Sequence, residues 1–135
     1  MTGVQTCVFR SEALLPRDAG ARAGATQWLV AALNSIEPHS VNVAVLGLFY
    51  ADQGWANLRR PSAVEFARHR LNCLAKALGE KLYLDGARFT AGDLMMTTVS
   101  RILPELIVDQ QLGAYVERCT ARPGFKRALD AQLGD

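Results

Sequence analysis

Common catalytic signatures are missing from this sequence. It contains no GxGxxG, no GxxxxGK[ST], no GxSxG and no HExxH, which removes the usual phosphate-binding, nucleophile-elbow and zinc-protease readings. Cysteine is scarce: Cys7, Cys73 and Cys119 are far apart, form no CxxC pair and have only His39 and His69 to complete a metal site. A metal centre and a disulfide framework are therefore not expected, and the thiols read as reduced ones in a cytoplasmic protein. No apolar run approaches the roughly eighteen residues that span a bilayer, and no export signal opens the chain. One-sided charge is also lacking, since the formal net charge is +2 and Lys and Arg are interspersed with Asp and Glu. No nucleic-acid or membrane-surface footprint follows from that pattern. What is present is enough for one globular domain: 135 residues, half of them hydrophobic and 21% charged.

The most fully specified stretch is Phe89-Thr90-Ala91-Gly92-Asp93-Leu94. Thr90 is placed to cap a helix by accepting the Asp93 N–H, while the Asp93 carboxylate reaches back to the Thr90 N–H. Phe89 before the cap and Leu94 after it stand at the spacing of a hydrophobic staple. Leu94 to Leu103 carries almost no charge, so the spacing predicts a core helix buried on most sides. Asp93 is read as a structural cap and not as a catalytic carboxylate, because a helix N-terminus supplies the donors and positive dipole end that a buried carboxylate requires. Its replacement by Ala is expected to cost about 1–2 kcal/mol, and more if the site is fully buried.

Met1 to Ser11 shows neither helical nor strand periodicity. Met-Thr-Gly-Val-Gln-Thr-Cys resembles the translation of a sequencing adapter, the alternative being a natural leader. Residues 1–11 are read as a non-native leader, 12–18 as a linker ending on the helix cap Asp18, and 19–135 as one helical domain. From Ala19 to Ile36, Ala21, Ala25, Trp28, Leu29, Ala32, Leu33 and Ile36 recur at helical spacing, with Trp28 as a core anchor. Ser40 to Tyr50 alternates like a strand through Val41, Val43 and Val45. It has no strand partner elsewhere, so it is read as helix, kinked from the first at Pro38, and closed by Asp52 to Trp55. A helix starts at Pro61 and buries Val64, Ala67, Leu71, Leu74 and Leu78 before Gly79 ends it. Lys81 to Gly86 is an extended piece with an Asp-Gly turn. Pro104 ends or kinks the core helix, Val108 to Gly113 is a connection, and helices over 112–121 and 124–133 complete the chain. The expected fold class is all-α, a bundle of about five to six helices. His39 beside Glu37 has the composition of an acid/base pair, but such neighbours at a helix end are ordinarily surface residues.

Leu82 to Asp93 resembles the loop and capping box before the core helix in the C-terminal domain of glutathione S-transferases. Thr26-Gln27-Trp28-Leu29 is similar to the start of that domain's first long helix in bacterial members. Ala121-Arg122-Pro123-Gly124-Phe125 to Leu129 resembles its last turn and helix, and Leu14-Leu15-Pro16 its linker. The resemblance covers the chain from about Leu14 to the end. It implies that glutathione is a cosubstrate bound mainly by a thioredoxin-like N-terminal domain lying upstream of this chain, so the chain is expected to be a truncated, inactive half of the enzyme. No residue here inherits the thiolate-stabilising role, and the catalytic set of this chain is empty.

The same resemblance implies a wall for the pocket of a small hydrophobic electrophile: Asn34, Glu37, Pro38 and His39 near the mouth, and Ile102 against it. Where some bacterial members place a His, this chain has Glu37, with His39 two residues on; a polar contact one turn past the Trp falls on Val30. The intact protein is expected to be a cytoplasmic homodimer. Two alternatives share the fold: a glutathione-dependent isomerase, and a non-catalytic interaction module. In the isolated domain, Trp28 or Leu14-Leu15 is expected to lie in an exposed apolar patch.

Overall fold

The computed structural model describes residues 14–134; the leader assigned to residues 1–11, including Cys7, lies outside them. Asp18 starts the first helix as read from the sequence, its carboxylate accepting the Ala21 N–H at 2.8 Å. Helix α1 then runs Ala19–Ala31, passes through a π-helical turn at Ala32–Ile36, and continues as α2 over Glu37–Leu48. The kink expected at Pro38 is absorbed by that turn. The Glu37 N–H bonds the Ala32 carbonyl, one residue further back than an α-helix would, and Pro38 falls in the first turn of α2, where no donor is needed. The strand-like valines are helical because burial follows the helical period: Ser40, Val43 and Leu46 are buried, whereas Val41 is exposed.

Helix α3 is Gly54–Leu78, so it begins well before Pro61, where the sequence places its start, and Asp52 to Trp55 opens this helix instead of closing the previous one. Ala56, Ala63, Ala67, Leu71, Leu74 and Leu78 form one buried stripe. Pro61 lies on the exposed side of this helix, with its ring in solvent, and Ala56 before it already stands on the buried stripe. Gly79 closes the helix at φ 54, a left-handed conformation that suits glycine, with its N–H on the Ala75 carbonyl. Tyr83 and Gly86 exchange backbone bonds of 2.8 Å across the Asp-Gly turn.

Helix α4, Ala91–Ser100, is central and packs against α1, the π turn, α2 and the later helix α5. It stops short of the expected Leu103, because the ring of Pro104 clashes with a helical carbonyl at Ser100 and keeps Leu103 extended; a short 3-10 turn follows at Pro104–Leu106. Helix α5 spans Gln110–Thr120, earlier than expected because Asp109 caps it, accepting the Leu112 N–H at 2.9 Å. Helix α6 is Pro123–Leu133. The described residues are thus all-α, six helices with no strand, as the sequence implies.

The prominent apolar exposure is not at Trp28 or Leu14-Leu15, which are half-buried. It sits where α2 meets α3: Leu48 and Leu58 are 77% and 86% exposed, with Phe49 and Trp55 between them in sequence. Helix α1 instead uses Trp28 against the core, and its Cβ approaches Gly92 of α4 so closely that a Cβ there would lie 2.6 Å away.

Candidate functional site

The head of α4 holds the most concentrated polar chemistry in the described core. The reciprocal capping box between Thr90 and Asp93 is formed. Asp93 is fully buried and accepts four hydrogen bonds: from the Leu84 N–H at 2.9 Å, the Thr90 N–H at 2.9 Å, the Thr90 hydroxyl at 3.1 Å and the Tyr115 hydroxyl at 3.0 Å. One carboxylate therefore fastens the 84–90 loop, α4 and α5 together. Four donors and a helix N-terminus satisfy its charge, leaving no lone pair free for chemistry.

Two neighbours on α5 are tuned by the same burial. Tyr115 is pushed far above the usual phenol range, by desolvation first and the Asp93 carboxylate second, with the Thr97 hydroxyl opposing. It remains a protonated donor to Asp93. The Cys119 thiol is also pushed up by burial, against the Thr97 hydroxyl, so it is a poor nucleophile at neutral pH. Both groups bind their proton more tightly folded than unfolded. Their contribution to stability is complete below the ordinary values of 9.0 and 10.0 and is lost as pH rises beyond them. Urea midpoints should therefore fall steeply above pH 10.0, and Tyr115→Phe should flatten that fall; an unchanged alkaline slope in the variant would contradict the assignment.

Beside this network lies a cavity of about 360 Å³, between the α4 head, the end of α5 and the start of α6. Phe89 and Leu94, the two staple residues, both line it, together with Thr97, Cys119, Arg122 and Phe125. Arg122 lies over the Phe89 ring at 3.9 Å, and Tyr83 meets Phe89 edge-on at 5.6 Å.

The residues assigned to an electrophile pocket lie elsewhere. Asn34 is exposed within the π turn; Glu37, Pro38 and His39 follow at once in the first turn of α2, His39 stacked on Phe66 of α3 at 6.0 Å. Ile102 is half-buried beyond the C-terminal end of α4. None of the five lines the cavity at the α4 head. Sequence reasoning misses Tyr115, Thr97 and Cys119 as neighbours of Asp93. The Leu112, Tyr115, Cys119 spacing signals a buried stripe on α5, but nothing local says which helix it faces. Among the described residues no group of three His, Cys, Asp or Glu is placed to hold a metal, and no helix is long and apolar enough to cross a membrane.

No protein-family profile and no curated protein matches the chain. Solved structures do. A glutathione transferase from Burkholderia graminis, described with two glutathione molecules bound per subunit, superposes with a TM-score of 0.82 at 21% identity over 93% of this chain and 56% of its own. A glutathione transferase family member from Pseudomonas fluorescens Pf-5, also described with two glutathione bound, gives 0.72 at 25% identity over 89% and 57%. This chain thus spans little more than half the length of either neighbour. The class defined by the helices and the capped α4 is an all-helical bundle built around one buried carboxylate. More particularly, its fold is that of the helical C-terminal domain of glutathione transferases.

Proposed function

We propose that residues 19–135 are the electrophile-side domain of a glutathione transferase, joined through a linker at 12–18 to a thioredoxin-like domain that binds most of the glutathione. The observation that carries this reading is the match of nearly the whole chain to just over half of each glutathione-bound neighbour. In such a protein the glutathione thiolate attacks an electrophilic carbon, a C–S bond forms, and the leaving group departs with the electron pair. This chain contributes no group to thiolate formation. It contributes a wall: Asn34, Glu37, Pro38, His39 and Ile102. The π turn supports that assignment, since such bulges are frequent at functional sites and this one immediately precedes Glu37. The exposed Leu48, Phe49, Trp55 and Leu58 support a homodimer in which they are covered.

The experiment is to compare this chain with a longer protein that includes the upstream coding segment, using a chloronitrobenzene electrophile and glutathione. The chain alone should give no conjugation; the longer protein should release chloride and form the thioether. In it, Asn34→Ala and Glu37→Ala should raise KM for the electrophile and leave KM for glutathione unchanged. A longer protein that neither binds glutathione nor consumes the electrophile removes the enzyme reading and leaves the interaction module.

A further inference from the structure

We propose that Cys73, with His69 beside it, is a thiol–disulfide exchange site at which the chain is reversibly capped by the disulfide of a small zwitterionic amino-acid thiol. Both residues stand on the exposed face of α3, one helical turn apart, and neither contributes to the core. The Cys73 Sγ lies 3.7 Å from the His69 Nε2, within reach of a thiol hydrogen bond. In the tautomer that leaves Nε2 without a proton, the imidazole can take the thiol proton, which is the pairing from which Cys–His nucleophiles are built. Cys119 has no such base: its thiol is buried and pushed up, so the two described cysteines differ in access and in what stands beside them.

A cleft of about 540 Å³ opens beside the pair and indicates the reagent. His69, Cys73 and Lys76 line it from α3, Glu80 from just beyond Gly79, and Asp109 from the cap of α5. Lys76 and Glu80 form no ion pair among the described residues, so a cation and an anion face one open cleft, each without a partner. An amino-acid disulfide brings the complement, a carboxylate for Lys76 and an ammonium group for Glu80, close to its sulfur atoms. The step balances as an exchange. His69 takes the Cys73 proton, the thiolate attacks one sulfur of the disulfide, and a new S–S bond to Cys73 forms as the reagent's own bond breaks. The departing thiolate keeps the electron pair and collects the proton from His69. Cys73 is oxidised, the reagent is reduced, and an excess of free thiol reverses the reaction. The site is independent of the glutathione transferase reading, because neither Cys73 nor His69 belongs to the electrophile wall.

With L-cystine as the probe at neutral pH, peptide mapping should place the adduct on Cys73 and not on Cys119, and dithiothreitol should remove it. Cys73 in the folded chain should react about tenfold or more faster than in the urea-unfolded chain, a gain that exposure alone cannot give. His69→Gln should keep its melting temperature, lose that gain and lose one ionisation from the pH profile of the rate. Lys76→Gln combined with Glu80→Gln should slow L-cystine several-fold and leave the neutral hydroxyethyl disulfide unaffected. Equal rates at Cys73 in the folded and unfolded chain overturn the proposal, as does a His69→Gln variant that reacts as fast as the unaltered chain. An unchanged L-cystine rate in the variant lacking both charges overturns the assigned class of reagent.

Discussion

Asp93→Ala should lose about 3–5 kcal/mol of folding stability, more than the cap by itself would account for. The difference lies in what is left behind. Removal of the carboxylate strands the Leu84 and Thr90 N–H groups and the Thr90 and Tyr115 hydroxyls in a site that water does not reach. Against a typical total of about 5–15 kcal/mol, such a loss brings the domain to the edge of folding. Urea denaturation measures it. If Asp93→Ala does not fold, Tyr115→Phe and Asp93→Asn provide milder steps. Tyr115→Phe alone should cost about 1.5–3 kcal/mol, and its effect should largely vanish when added to Asp93→Ala under conditions where that variant folds, since the two share one bond. Additive losses would mean that the Tyr115 bond is unimportant. A normally stable Asp93→Ala would mean that the carboxylate does not fasten the loop and the two helices together.

Gly92→Ala should destabilise by about 1–3 kcal/mol, against the usual preference of helices for alanine. The added Cβ would stand 2.6 Å from the Trp28 Cβ and 3.1 Å from the Ala25 carbonyl oxygen. Both atoms are fixed by the α1 backbone, so no side-chain rotation relieves the clash and the two helices must separate. Gly24→Ala is the control. That glycine lies in α1 with nothing within 4 Å of where an added methyl would stand, and the change should stabilise by about 0.5–1 kcal/mol. Opposite signs for the two substitutions, read as shifts in thermal midpoint, are the expected result. A stabilising Gly92→Ala would mean that α1 and α4 do not cross as closely as the structure has them.

These two variants also mark which parts of the protein could be read from the chain. Thr90 and Asp93 were legible because a capping box is an arrangement between residues three apart, settled by local geometry. The helical stripes of α1 and α3 were legible for the same reason: Ala25, Ala32 and Ile36, or Ala67, Leu71, Leu74 and Leu78, keep a period that one helix imposes on itself. Boundaries were less legible where a stronger neighbour intervened. Pro61 has the marks of a helix start, but the helix already begins at Gly54 and carries Ala56 on the same buried stripe; Leu103 continues an apolar helical run, but Pro104 excludes that conformation. The β-propensity of Val41, Val43 and Val45 lost to the absence of any strand to pair with among the described residues.

By itself, then, the sequence determined the all-α class, the buried carboxylate at the head of the core helix, and the resemblance that placed it among glutathione transferase helical domains. Only the tertiary structure decided that Tyr115 donates to Asp93 across 22 residues of chain, that Gly92 is the point where α1 presses on α4, and that Thr97 and Arg122 face one cavity. The physical reason is the range of the interactions. Capping and helical periodicity act within a turn or two and leave a pattern in consecutive residues. Helix crossings and the cavities between them depend on which faces meet, and that is settled by the packing of the whole core.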